Sequence, residues 1–194
     1  RVITMELHAT QIQGFFDIPA DDISAISIIG KYFQKKDLGE IVVVSPDHGG
    51  VTRARRLAEI LHAPIAIIDK RRPKPNVAEA MNLIGEVDGK TAIIVDDIVD
   101  TAGTPVSRIQ MLRDHGAKAI YASCVHGVLS GPAIDRLKAA DLAGFICTNT
   151  IDQTEKEKLY DKMTVLSVGP ILGGVIRALE EDRPVSEVLP VFAK

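Results

Sequence analysis

The sequence has little cysteine, no marked excess of either charge, no long hydrophobic run and no internal repeat. Each absence excludes something. The two cysteines, Cys124 and Cys147, stand in apolar surroundings and match no metal spacing. They read as buried free thiols of a reducing cytoplasm, not as a disulfide framework or a zinc site. A net charge of −3 offers no general attraction to nucleic acid or to an anionic membrane. No stretch reaches the roughly 18–20 apolar residues of a membrane-spanning helix, and none reads as a signal peptide. Without a repeat, solenoid architectures drop out.

What is present is an alternation of apolar runs with amphipathic stretches. Residues 41–44, 63–69, 91–95, 117–125, 145–148 and 163–168 read as strands, several of them apolar enough to be buried on both faces. Helical patterns fall between them, and a last helix is expected over 170–181. The expected fold class is α/β, a parallel sheet flanked by helices on both faces. Residues 1–7 look like a strand with His8 at its carboxyl end. Asp21 and Asp22 are placed to cap a helix over 23–33. Residues 79–87 cross toward the sheet edge, and Gly116 stops the helix that precedes it. The chain opens on Arg1 and runs directly into strand-like Val2-Ile3-Thr4-Met5, the start expected of a fragment.

The richest chemistry lies in TAIIVDDIVDTAGT, residues 91–104. A buried strand ends in adjacent carboxylates, Asp96 and Asp97. Asp100, Thr101, Ala102, Gly103 and Thr104 then open a helix whose first turn holds Pro105. A helix N-terminus presents unpaired N–H groups to anions, and Gly103 lets backbone approach closely, so this loop suits a phosphate monoester. The Asp pair repels phosphate but can accept hydrogen bonds from a diol, directly or through a metal. Capping the helix needs one Asp and not three. Other strand ends carry chemistry as well: His8, then Asp47 with His48 and Gly49-Gly50, and Lys70 with Arg72. Four cations within five residues and two prolines over 70–76 exclude a helix or central strand and predict an exposed loop. Parallel strands place their carboxyl ends on one edge, so these groups are expected to converge on one cleft.

The acid pair followed by D-T-x-G-T resembles the phosphoribosyl-diphosphate motif of type I phosphoribosyltransferases and of ribose-phosphate diphosphokinases. With ELHATQIQGFFDIP, VVSPDHGGVTRARRLAE, IIDKRRPKPN and VLSGPA, essentially the whole chain resembles the diphosphokinases. The resemblance implies a type I phosphoribosyltransferase-like fold divided into residues 1–20, left from an N-terminal domain, residues 21–170, a C-terminal domain, and residues 171–194, returning to the first. It implies transfer of the β,γ-diphosphoryl group of Mg-ATP to the 1-hydroxyl of ribose 5-phosphate, and assembly into hexamers, with no nucleic-acid or membrane partner. By the same resemblance Lys70 and Arg72 are catalytic. Arg72, Asp96, Asp97 and residues 100–104 hold ribose 5-phosphate. His8, Asp47, His48, Gly49 and Gly50 hold the diphosphate or ATP, and His8 and Asp47 bind Mg²⁺, although hard Mg²⁺ prefers oxygen. The resemblance also leaves the apolar residues Ile3, Phe15 and Phe16 in need of partners. Two alternatives stand beside it: a phosphoribosyltransferase, for which no base-recognising segment is found, and a non-catalytic regulatory homologue. The retained Lys70, Arg72, Asp96, Asp97 and Thr104 argue against the latter.

Overall fold

A computed structural model describes residues 1–71 and 80–188. Seven strands form the main sheet: β3 (Ile41–Ser45), β4 (Ile65–Arg71), β5 (Ala80–Ile84), β6 (Thr91–Val99), β7 (Ala119–Gly127), β8 (Gly144–Thr148) and β9 (Met163–Leu166). Their order is β5-β4-β3-β6-β7-β8-β9, and every pairing is parallel except β4 with β5. Side chains on a strand alternate between faces. Val42, Val44, Ala92 and Ile94 accordingly enter one buried cluster, while Val43, Ile93 and Val95 enter another. The first cluster packs against α3 (Gly103–Asp114) and α4 (Ala133–Ala139) through Ile109, Leu112, Ala133 and Leu137. The second packs against α1 (Ile26–Gln34) and α2 (Val51–Leu61) through Ile26, Ile29, Phe33, Ala54 and Leu57. The result is the three-layer α/β architecture expected from the sequence, with one antiparallel edge strand.

Several boundaries differ from expectation, each for a physical reason. The first strand, β1 (Val2–Met5), stops at Glu6, whose φ of 47° leaves the extended region. It joins no strand of the main sheet and pairs in parallel with β2 (Ala20–Ile23). Asp21 and Asp22 therefore lie in a strand and do not cap α1. Asp22 instead accepts from Thr4 Oγ1 at 2.8 Å and from the Leu7 amide at 3.2 Å. The start of α1 is served by Glu6, whose Oε2 accepts from Ser24 Oγ at 2.8 Å and from the Ala25 amide at 3.1 Å. β4 runs on through Lys70 and Arg71, because β5 gives their backbone an antiparallel partner. The central strand β6 likewise continues past the acid pair to Val99, in register with β7.

The two-stranded sheet is fastened to the body by α6 (Gly169–Glu180): Ile3 and Met5 pack with Ile23, Val168, Ile171 and Val175. Ile3 is thus partly covered, whereas Phe15 remains 85% exposed and Phe16 is exposed beside it. Both cysteines are buried and free. Among the described residues no helix is long and apolar enough to cross a membrane.

Gly116 ends α3 with φ +85°, and the amides of Gly116 and Ala117 close back on the Arg113 and Leu112 carbonyls at 2.9 and 3.0 Å, a Schellman pattern. A Cβ here would come within 2.0 Å of Asp88 Oδ1. Gly116→Ala is expected to lower the unfolding free energy by about 1–3 kcal/mol in urea titration. An unchanged midpoint would mean that the Asp88 turn yields freely.

Candidate functional site

The sheet order reverses between β3 and β6, since connections from β3 lead toward β5 and those from β6 lead toward β9. Loops leaving the carboxyl ends of these two strands diverge, and a crevice opens there. It is a cleft of about 400 Å³ lined by His8, Asp47, Asp96, Asp97, residues 98–103 and Arg108. That size suits a small molecule. Of the residues singled out in the sequence, His8, Asp47, Asp96, Asp97, Asp100, Thr101, Ala102 and Gly103 meet there.

One wall is a tight turn that opens α3. Ala102 takes the left-handed conformation, φ 55°, immediately before α3 begins at Gly103. The turn is anchored from the loop before α4: the Leu129 amide donates to the Val99 carbonyl at 3.1 Å and the Ser130 amide to the Asp100 carbonyl at 3.1 Å, and Ser130 Oγ also donates to the Asp100 carboxylate. Arg136 Nη1 donates to the Thr101 carbonyl at 2.9 Å and lies where a Gly103 Cβ would meet it at 3.3 Å. The backbone of Thr104 lies in the first turn of α3, while its side chain is outside the described residues.

The other wall is acidic, and its two neighbouring acids are not equivalent. Asp97 Oδ1 accepts from the Ile98 amide at 2.8 Å, and Oδ2 meets both His8 Nδ1 at 2.8 Å and Arg53 Nη2 at 2.9 Å. Burial alone would raise the Asp97 pKa, but the Arg53 charge and the His8 hydrogen bond outweigh it and hold the carboxyl below its usual range. Asp96 lacks so close a cation, with Arg53 Nη1 3.6 Å away. Burial first, then its hydrogen bond and charge repulsion with Asp97, push its pKa up to about 6. Near pH 6 Asp97 is thus ionised while Asp96 is close to its midpoint. Because ionised Asp97 only accepts, His8 Nδ1 donates, which leaves the lone pair of a neutral imidazole on Nε2.

Asp47 Oδ1 accepts from the Gly50 amide at 2.9 Å and shapes the turn into α2. His48, Gly49 and Gly50 are not among the lining residues; His48 Nε2 is engaged by buried Asp69 at 2.7 Å. Lys70 has its backbone in β4 next to Asp69, but its side chain is outside the described residues, as is the whole of Arg72. No group of three or more residues arranged to hold a metal ion is found among the described residues. His62, His115 and His126 lie away from the lining: His62 follows α2 in the left-handed conformation, the His115 ring meets the Met111 carbonyl, and His126 bridges Thr150 and the Met5 and Glu6 carbonyls.

Two arginines went unassigned in the sequence. Arg53, one of three arginines in α2, spans Glu6 Oε1 at 3.2 Å, Asp96 and Asp97. Arg108 sits on the buried face of α3 with Ile109, Met111 and Leu112. A signal did exist for both: each is a cation on the apolar stripe of its helix, a costly position that calls for carboxylate partners.

A family model described as the phosphoribosyl synthetase-associated domain matches residues 70–189. The chain is 58% identical over 186 residues to the ribose-phosphate pyrophosphokinase of Halalkalibacterium halodurans, covering 96% of this chain and 58% of that protein. To the Bacillus subtilis protein of the same name the identity is 54%, with the same coverage. A crystal structure of phosphoribosylpyrophosphate synthetase from Mycobacterium smegmatis superposes with a TM-score of 0.84 at 39% identity, covering 93% of this chain and 58% of that one. The chain spans less than three fifths of the length of these relatives.

Proposed function

This chain belongs to the ribose-phosphate pyrophosphokinase family, and on that premise we propose that it carries the ribose 5-phosphate half of a site that transfers the β,γ-diphosphoryl group of Mg-ATP to the sugar's 1-hydroxyl. The products would be 5-phosphoribosyl 1-diphosphate and AMP. The observation that carries this reading is one cleft with an anion-binding turn on one wall and a carboxylate pair on the other. The first amides of α3, aided by the helix dipole, hold the 5-phosphate. Asp97, ionised and fixed on its far side by Arg53 and His8, accepts from a ribose hydroxyl, and Asp96 takes the neighbouring hydroxyl. Lys70 and Arg72, at the end of β4, would neutralise charge on the phosphates in transit.

Mg²⁺ fits this donor set, because Asp47 and Asp96 bring carboxylate oxygens to the same cleft and an octahedral ion of this kind takes one or two carboxylates together with substrate phosphates. His8, with Nδ1 committed to Asp97, would reach the ion or the nucleotide only through Nε2. When bound, the ion would offset phosphate charge as a Lewis acid. The same reading joins residues 1–20 and 171–194 to a second half of the molecule. It is supported by Phe15 and Phe16, which stay exposed on this side of the chain. Assembly into hexamers belongs to this proposal as well.

Calorimetric titration with ribose 5-phosphate, and with ribose as the comparison, tests the assignment. Ribose 5-phosphate is expected to bind at least about tenfold more tightly, the equivalent of one charge-assisted hydrogen bond. Equal affinities would remove the phosphate from the α3 turn. An ATP-dependent assay for AMP release, with Lys70→Ala as control, then tests the transfer.

A further inference from the structure

Arg108 and Arg53 face the same carboxylates but differ in kind. Arg53 is hydrogen-bonded, at 2.9 Å to Asp97 and 3.2 Å to Glu6. Arg108 lies between two carboxylates, one in the turn after β3 and one on β6, its Nη2 3.7 Å from Asp47 Oδ2 and its Nη1 4.0 Å from Asp96 Oδ2. Charge-assisted hydrogen bonds close to about 2.7–2.9 Å. At its longer distances Arg108 balances the two charges without fixing either group. It is 8% exposed, and burial lowers its pKa while Asp47 and Asp96 oppose that shift. A guanidinium remains protonated even so. This cation therefore stands between the two carboxylates whose oxygens suit a divalent ion, and one end of it is tethered to the helix that begins at the phosphate turn.

We propose that Arg108 is a resident counter-ion of the cleft, competing with a divalent cation for Asp47 and Asp96, so that metal entry and guanidinium release form a single exchange. The inference rests on the reading above only in taking the cleft to bind a metal–phosphate ligand. Two consequences follow from charge alone. A bare divalent ion binds the free protein weakly, because it must displace a cation already in place. The same ion arriving with a polyphosphate binds well, because the displaced guanidinium gains phosphoryl oxygens that it can grip with two N–H groups.

The test is Mn²⁺ binding followed by electron paramagnetic resonance, in the absence of nucleotide, with thermal unfolding as the check on folding. Arg108→Ala is expected to tighten Mn²⁺ binding about tenfold, the size of effect expected on removing a like charge a few ångströms from the ion. Arg108→Gln keeps a polar side chain while removing the charge. It should give the same gain, and it carries the test should the alanine variant fail to fold. Asp47→Asn should weaken binding in either background. Equal or weaker Mn²⁺ binding by the variants would overturn the counter-ion role and leave the proposed function standing. Absence of Mn²⁺ binding from wild type and variants alike would likewise overturn the counter-ion role, and the ribose 5-phosphate titration would still decide the proposed function.

Discussion

Arg53→Ala is expected to lower the unfolding free energy by about 3–5 kcal/mol, the loss characteristic of stripping one partner from a buried charge cluster. Its guanidinium is the common partner of Glu6, Asp96 and Asp97, and removing it leaves three carboxylates crowded with His8 as the remaining close neighbour of Asp97. Each of those carboxylates has a structural duty: Glu6 completes the start of α1, Asp96 accepts from the Asp97 amide and Asp97 from the Ile98 amide. The loss should be greatest above pH 6 and smaller near pH 4, where protonation relieves the repulsion. Urea titration at both pH values checks this. A change below about 1 kcal/mol at pH 7.5 would show that solvent screens the cluster as it does a surface pair. In Arg53→Ala, Asp97→Asn the two losses should not add, because they break the same contact.

Asp96→Asn should do the opposite to stability while weakening ribose 5-phosphate binding. The Asp96 pKa rises from its ordinary 3.8 to about 6 in the folded protein, so the native state favours the protonated form. A group raised in this way contributes its full stability below pH 4 and loses it as pH climbs through 6. Above pH 7 the ionised carboxylate is therefore a net cost, with an upper limit of about 3 kcal/mol. Asparagine escapes that cost but gives up the longer contacts to Arg53 and Arg108. The expected net gain is about 1–2 kcal/mol at pH 7.5 and nothing at pH 4. Ribose 5-phosphate affinity should fall at least about tenfold, since an amide replaces a carboxylate acceptor. A variant that is neither more stable nor weaker in binding would place Asp96 outside the site. Stability withheld at a functional position is a common trade.

The divided legibility of this chain has a physical basis. Asp96, Asp97 and residues 100–103 could be read because a strand, a tight turn and a helix N-terminus are local structures whose demands are written within a dozen residues. The alternation of layers was readable for the same reason. What could not be read depends on partners far along the chain. Asp21 and Asp22 looked like caps because nothing nearby suggests that Glu6, 19 residues before Ala25, would serve α1. Lys70 and Arg71 looked like loop because the antiparallel partner that makes them strand lies across residues 72–79. His8 was expected in the cleft as the end of a strand of the sheet. It arrives from outside the sheet altogether, held by Asp97 across 89 residues of sequence.

That outside origin matters beyond the site itself. Asp97 is held on β6, but Glu6 and His8, which together with Arg53 set its charge and orientation, belong to the chain leaving β1. Seating of the two-stranded sheet against α6 and preparation of the cleft are consequently two readings of one equilibrium. Whatever factor a bound sugar phosphate contributes to closing that seam, a closed seam returns to the sugar phosphate.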